Sequence, residues 1–386
     1  MIRSSKLSIK FSNKIKKDNI KLFIDEYKIV TQFFINCLWN LNDIPKLIPK
    51  IITNQVDTWL SQRAIQCAAK QASGIVRGSK QKNKQRVHIY NKLLAEGKFR
   101  KAKKLKKIID KNQENKPSIK YIQPELDSRF VKFDFDNKTS FDGWITLTSL
   151  GNKLKIQIPI KKTKHFNSLN GNLKCGIRLS EKYVTLIFEN KVDNRIDGDI
   201  LGLDIGIKTI ASLSDGQVTK EDQHGWTLTK IIDRLNRKEK GSKGYKKVQR
   251  QRSQFINWSI NQLNFSKTKK LKLENIKDIR RNKKMNKFLN RWTYTEIKTK
   301  LELVCEKFGV QIEYINPTYT SQRCSSCGWV RNSNRKGKLF KCDKCGFSLD
   351  SDLNASRNIA IDLPCISKKE RLLQKNKIGF YLNEVR

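Results

Sequence analysis

Along the first residues, apolar and polar positions alternate. Leu7, Ile9 and Phe11 stand on one side of an extended chain and Lys6, Ser8 and Lys10 on the other, the period of a strand. From about Asn19 the period lengthens. Phe33, Phe34, Cys37, Leu38 and Leu41 share one helical face, and Trp59, Ala64, Ile65, Ala68 and Ala69 begin another. Arg77 to Lys116 stays helical but becomes highly basic, with KFRKAKKLKKIIDK at its centre. Like charges four residues apart destabilise a helix unless something neutralises them, which favours a nucleic-acid-contacting surface over a solvated helix or charged linker. Strand patterns return at Phe130–Phe135, Trp144–Leu150, Leu154–Ile160 and Lys182–Glu189, punctuated by Asp142-Gly143 and Asn170-Gly171. This spacing predicts a small antiparallel barrel that includes the N-terminal strand, with the helical block from about 16 to 125 inserted into it.

A second unit begins near Asp199. ILGLDIGIKTIASLSDGQV reads as a buried strand, a glycine turn and a second strand, a hairpin carrying Asp204. Basic sequence and helices follow, then a strand KKLKLE that ends at Glu274. Beyond it lie an amphipathic helix with Trp292, Ile297, Leu301, Val304, Cys305 and Phe308 inward, and a strand over Val310–Ile315. No internal repeat is found.

Charge then dominates the picture. Of 386 residues, 81 are Lys or Arg and 36 are Asp or Glu, a formal net charge of +45. A protein this basic repels itself unless a polyanion neutralises it, so nucleic acid is the first partner to consider and a membrane surface the second. The sequence shows no long apolar run, no apolar signal core in MIRSSKLSIKFSNK and no lipidation motif, so the expectation is an intracellular protein.

Nine cysteines sort into two kinds. Cys37, Cys67, Cys175, Cys305 and Cys365 are scattered, whereas Cys324, Cys327, Cys342 and Cys345 form two Cys-x-x-Cys pairs separated by 14 residues, each pair followed by glycine (Gly328, Gly346). That pattern is a four-thiolate zinc site, closed to substrate and therefore structural. Three acids need separate reasons. Asp204 lies in an apolar strand run where an unpaired carboxylate is costly, and could also be a turn residue or the phosphate-binding start of an actin-like ATPase. Glu274 could be an ordinary exposed strand end, and Asp352, just before LNASRNIA, a helix N-cap. Together, an acid on a first hairpin, another at a later strand end and a third on a terminal helix form the arrangement of RNase H-like nucleases. There, carboxylates hold two hard Mg2+ ions about 4 Å apart. His88, His165 and His224 are isolated and read as non-catalytic.

Four segments taken in order, ILGLDIGIKTIASLSDG, LKLENIKDIR, INPTYTSQRCSSCG with CDKCG, and DSDLNASRNI, resemble the RuvC motifs and zinc ribbon of the transposon-encoded TnpB family, relatives of compact type V CRISPR effectors and of Fanzor proteins. The resemblance covers roughly residues 199 to 362; the N-terminal half is similar only in architecture. It implies an RNA-guided, Mg2+-dependent endodeoxyribonuclease: guide RNA pairs with double-stranded target DNA beside a short flanking motif, and one RuvC site cuts both strands. It implies Asp204, Glu274 and Asp352 as catalytic magnesium ligands, with Asp350 the weaker candidate, and Cys324, Cys327, Cys342 and Cys345 as zinc ligands. It gives Thr318 to Cys324 a role in positioning the ribbon or contacting substrate. Arg331, Arg335, Lys336 and Lys338 would form a basic finger beside the acids.

The expected fold is therefore multidomain α+β. A β-barrel wedge domain takes 1–15 and 126–196, a helical recognition lobe 16–125, an RNase H-like α/β nuclease domain 197–320 and 347–386, and an inserted zinc ribbon 321–346. The short stretch between Asp204 and Glu274 leaves the helices expected there open. Other readings are a nuclease-inactive RNA-guided DNA-binding repressor, a DDE-type transposase on the same fold, or an ATPase. The chain could act as a monomer or homodimer.

Overall fold

In a computed structural model the chain is described over residues 1–135, 139–276, 293–366, 370 and 379–384. It divides into two compact units, Met1–Lys191 and Val192–Arg386.

In the first unit, strand β1 (Ile2–Ser8) leads into helix α1 (Lys14–Trp39). Asn13 caps that helix by accepting from the Lys16 amide, and Phe23, Tyr27, Val30 and Phe34 line its buried face. After the short α2 (Lys50–Thr53), Ser61 caps the long α3 (Gln62–Ala95). Ala64, Ala68, Ala69 and Ala72 are all buried on α3, a small-residue face that lets it approach α1 closely. Helix α4 (Phe99–Glu114) packs back on α3 through buried Ala102 and Ile109, leaving its lysines outward.

The strands of this unit are β2 (Glu125–Leu126), β3 (Val131–Asp134), β4 (Gly143–Leu147), β5 (Ile156–Ile160), β6 (Asn172–Leu179) and β7 (Tyr183–Glu189), with a one-turn helix α5 (Lys164–Asn167) before β6. The N-terminal strand does join them: β1 pairs antiparallel with β7, Ser5 opposite Leu186. The expected closed barrel is not what they form. Among the described residues they make two antiparallel sheets, β1-β7-β6-β2 and β3-β4-β5, over one hydrophobic core shared with α1 and α3. Closure requires continuous edge-to-edge pairing, and β2 offers only two residues for it.

The second unit is built on a mixed sheet ordered β11-β10-β8-β9: β8 (Asp199–Asp204), β9 (Ser212–Leu213), β10 (Thr268–Glu274) and β11 (Gln311–Ile315). The strands β8, β10 and β11 are mutually parallel, and β9 returns antiparallel to β8. Buried Leu201, Leu203, Leu271 and Leu273 give the central pair the apolar character of parallel strands. Helices do occupy the short stretch between Asp204 and Glu274: α6 (Leu228–Asn236), capped by Thr227, and α7 (Lys243–Asn261), capped by Ser242. Helix α8 (Tyr294–Phe308) buries Ile297, Leu301, Val304 and Cys305, as its periodicity predicts, and ends at Gly309 in a left-handed cap. The expected inward Trp292 lies outside the described residues.

Then come β12 (Trp329–Val330), the three-stranded β13 (Arg335–Lys336), β14 (Leu339–Lys341) and β15 (Ser348–Asp350), helix α9 (Ser351–Ala360) and β16 (Phe380–Tyr381), which pairs with β12. Helix α9 crosses β8 closely. A Cβ on Gly202 would sit 2.1 Å from the Ser356 carbonyl oxygen, so the helix rests directly on the strand. Among the described residues no helix is long and apolar enough to cross a membrane.

Candidate active site and metal centre

Strand periodicity ends where the acids begin. Asp204 is the last residue of β8, and Glu274 the last of β10. Because β8 and β10 are parallel neighbours, both acids emerge at the same end of the sheet. Asp352 arrives from above, in the first turn of α9, and is itself buried. Its sequence reading as an N-cap does not hold. Asp350 is the cap, with its Oδ1 accepting from the backbone amides of Asp352 at 2.9 Å and Leu353 at 3.2 Å. The Asp352 carboxylate is thereby free for other partners.

The three acids interact. Burial, then the charges of Glu274 and Asp352, push the Asp204 carboxyl up from 3.8 to about 7, opposed by Arg335 and Lys338. Burial also raises Glu274, opposed by a hydrogen bond from Thr320 and by the charge of Arg335. The Tyr294 hydroxyl donates to the Glu274 carbonyl at 2.9 Å, and burial beside these acids pushes its own ionisation to about 12. Among the described residues, the cysteine quartet is the one group whose ligand atoms, all within 4.8 Å of one another, could hold a single metal ion.

Two basic residues, Arg335 on β13 and Lys338 in the turn before β14, complete the site. Lys338 bonds Asp352 Oδ2 and also reaches the Thr209 hydroxyl at 2.8 Å, and Arg335 lies 3.3 Å from Asp352 Oδ1. The expected basic finger thus splits: Arg335 and Lys338 turn onto the acid, Lys336 is exposed, and Arg331 pairs with Asp343.

The four cysteines come together as the spacing predicts. Cys324 and Cys345 sulfurs lie 3.8 Å apart and those of Cys327 and Cys342 3.7 Å apart. Four thiolates at about 2.3 Å around a tetrahedral ion would stand about 3.8 Å from one another, so this donor set fits a single metal ion. The three histidines take no part in either cluster.

Sequence reasoning missed the polar links between these centres. Asn354 and Asn358, one helical turn apart on α9, reach the peptide that enters the first cysteine pair. Thr320 reaches Glu274 at 2.5 Å. Their polar partners lie tens of residues away, and only the Thr318 to Cys324 run and the DSDLNASRNI segment pointed to them.

Residues 294–359 match the Cas12f1-like TNB domain family. Over 90 residues the chain is 44% identical to the CRISPR-associated endodeoxyribonuclease Cas12f1 of Sulfoacidibacillus thermotolerans, covering 23% of this chain and 20% of that protein. It is 32% identical over 115 residues to a TnpB-like protein of Methanocaldococcus jannaschii, 28% of this chain and 41% of that one. It is 26% identical over 263 residues to InsQ of Escherichia coli strain K12, a proposed RNA-guided DNA endonuclease, covering 59% and 63% of the two chains. In each case the chain spans less than two thirds of its relative's length. The chain is a relative of TnpB-like and Cas12f1 proteins, and the family match falls on the unit that carries the acids and cysteines.

Proposed function

We propose that this protein is an RNA-guided DNA endonuclease whose single RuvC-like site hydrolyses phosphodiester bonds with two Mg2+ ions. The observation that carries the reading is the convergence of Asp204, Glu274 and Asp352 from β8, β10 and α9 upon one end of a parallel strand pair. Similarity to a CRISPR-associated endodeoxyribonuclease and to a TnpB-like protein supports it, as does a net charge of +45.

The donor set fits hard divalent cations. Burial and the charges of Glu274 and Asp352 oppose the ionisation of Asp204, and a divalent cation relieves that opposition. Convergent carboxylates are the donors that a two-ion site uses. When bound, such ions supply an activated water and stabilise the leaving oxygen of an in-line displacement. The protein's own residues hold that site. Asp204 and Glu274 are fixed by the ends of a rigid sheet, and Asp352 by a helix whose first turn Asp350 caps. Lys338 and Arg335 put positive charge against Asp352, where an incoming phosphate would meet it.

We assign zinc to Cys324, Cys327, Cys342 and Cys345, since four soft thiolates with no open position suit a structural ion. We further assign 1–15 and 126–196 to a wedge domain, 16–125 to a helical recognition lobe, 197–320 and 347–386 to the nuclease domain and 321–346 to the ribbon. Guide RNA and the heteroduplex would be held by backbone charge and shape, for which lysine-rich surfaces such as that of α4 suffice.

The test uses purified protein with its co-purifying RNA. Asp204→Ala, Glu274→Ala and Asp352→Ala should each abolish Mg2+-dependent cleavage of matched DNA while RNA binding persists. Undiminished cutting by any of them refutes that residue's role. A wild-type complex that binds target without cutting it would establish the repressor reading, and strand joining the transposase one.

A further inference from the structure

We propose that Thr320 is the positioning residue of Glu274, and that α9 fixes it there through Asn354 and Asn358, so that the peptide leading into the first cysteine pair belongs to the carboxylate site. The inference rests on Glu274 holding a divalent cation.

Strand β10 ends at Glu274, with the Asn275 amide making one last bond to β11 at the Ile315 carbonyl, and these backbone bonds leave the Glu274 side chain unoriented. The buried Thr320 hydroxyl does: it donates to Glu274 Oε1 at 2.5 Å. The same hydroxyl lies 3.1 Å from the Pro317 carbonyl, so one proton is shared between two acceptors. A bond to Oε1 occupies one lone pair and restrains rotation of the carboxylate, leaving its other lone pairs for a cation.

The hydroxyl is itself held in place. The Thr320 carbonyl accepts from Asn358 Nδ2 at 2.9 Å, and that amide also donates to the Arg323 carbonyl at 2.7 Å. Asn354 Nδ2 donates to the Arg323 carbonyl at 2.8 Å, while its Oδ1 accepts from the Ser325 amide at 3.0 Å, between Cys324 and Cys327. The Arg323 guanidinium is buried too, giving one bond to Asn358 Oδ1 at 2.7 Å and one to the Leu382 carbonyl at 2.7 Å. Asn354, Asn358, Thr320 and Arg323 are all at most 5% exposed, so these bonds are shielded from water.

The backbone is bent to make this reach possible. Tyr319 has φ of 69°, a conformation that non-glycine residues seldom adopt. It is retained because its carbonyl accepts from the Gln322 and Arg323 amides, both at 2.9 Å, and its ring packs edge-on against Phe380 with centroids 5.1 Å apart. A strained turn directly before Thr320, held on both sides, is what a positioning role requires. Asp352 stands on the same helix as the two asparagines, so one element sets the place of both acids.

The experiment is Mn2+ titration of the purified full chain, followed by electron paramagnetic resonance, with zinc content and thermal unfolding measured in parallel. Thr320→Val should weaken Mn2+ binding on the order of tenfold, the lower end of the losses seen for partners of metal-ligating side chains. Zinc content should be unchanged, and Thr320→Ser, which keeps the hydroxyl, should bind Mn2+ as wild type does. Glu274→Gln is the control for the underlying reading and should also weaken binding. Should Glu274→Gln bind Mn2+ normally, Glu274 is not a ligand and the inference falls with that assignment. Should Glu274→Gln fail to bind while Thr320→Val binds normally, the inference alone is overturned. Equal weakening by Thr320→Ser and Thr320→Val overturns it as well, because shape and not the hydroxyl would then matter. If Thr320→Val loses zinc, Thr320→Ala removes the same hydroxyl without adding a methyl and is judged by the same criteria.

Discussion

Replacing Asp204 by asparagine should stabilise the metal-free protein at pH 8 while removing the carboxylate a cation would need. In the folded chain this group holds its proton up to about 7 instead of 3.8, because burial and the charges of Glu274 and Asp352 oppose its ionisation. The folded form thus binds the proton more tightly than the unfolded form does. The favourable contribution is fully present below the unfolded value, declines as pH rises between 3.8 and about 7, and is gone above that. The shift is about three units, or ~4 kcal/mol at 1.36 kcal/mol per unit, a ceiling because Asp204 retains some contact with water. Half of that ceiling would move the melting temperature of a domain this size by about 4–8 °C.

The assay is thermal unfolding of wild type and Asp204→Asn in magnesium-free buffer, read as the difference between the two proteins at pH 5, 6, 7 and 8. That difference cancels the other titrating groups. It should already favour the variant at pH 5, by roughly a third of the ceiling, and widen up to about pH 7. Added Mg2+ should then raise the melting temperature of wild type at pH 8 by mass action and leave the variant nearly unmoved. Coincident melting of the two proteins at pH 8 without metal would refute the burial and like-charge crowding that raise Asp204.

Two further perturbations address the surroundings of the acids. Cys324→Ser should release the zinc ion and lower the melting temperature, since Cys324 is fully buried among the other thiols; an unchanged zinc content by native mass spectrometry would count against the four-cysteine site. Gly202→Ala should push α9 off the sheet, because its Cβ would stand 2.1 Å from the Ser356 carbonyl oxygen and 2.4 Å from the Ala360 nitrogen. Displacing Asp352 by about 1 Å costs on the order of a hundredfold in cleavage rate, so cleavage at the wild-type rate by this variant would show that α9 does not place that acid.

What could be read from the sequence depended on whether the physics was local. Chain period placed β8, β10 and α8, since each buries a face whose spacing is visible within one segment. Thiol spacing brought the four cysteines together for the same reason. Barrel closure was not local: seven strands in one unit do not say which edges meet, and a two-residue β2 leaves the sheets apart. Strand β6 carried an alternation in Leu173, Ile177 and Leu179 that went unassigned, and its pairing with β7 shifts register between Leu173 and Ile177. Thr320 was invisible as a partner of Glu274 because 46 residues separate them.

The pair Asp350 and Asp352 marks the boundary between the two cases. Either residue alone satisfies the local rule for an N-cap, and the rule cannot choose between them. The choice follows from register. With Asp350 as the cap, its oxygen takes the amides of residues 352 and 353, the first turn is satisfied, and Asp352 becomes a helical residue whose side chain projects from the helix. With Asp352 as the cap, its carboxylate would be spent on the amides of its own helix and unavailable to a cation. Two aspartates one residue apart therefore divide two tasks that one could not perform together: the first completes the helix, and the second is released toward Asp204 and Glu274. That division also explains why Lys338 and Arg335 meet Asp352, the carboxylate with oxygens to spare.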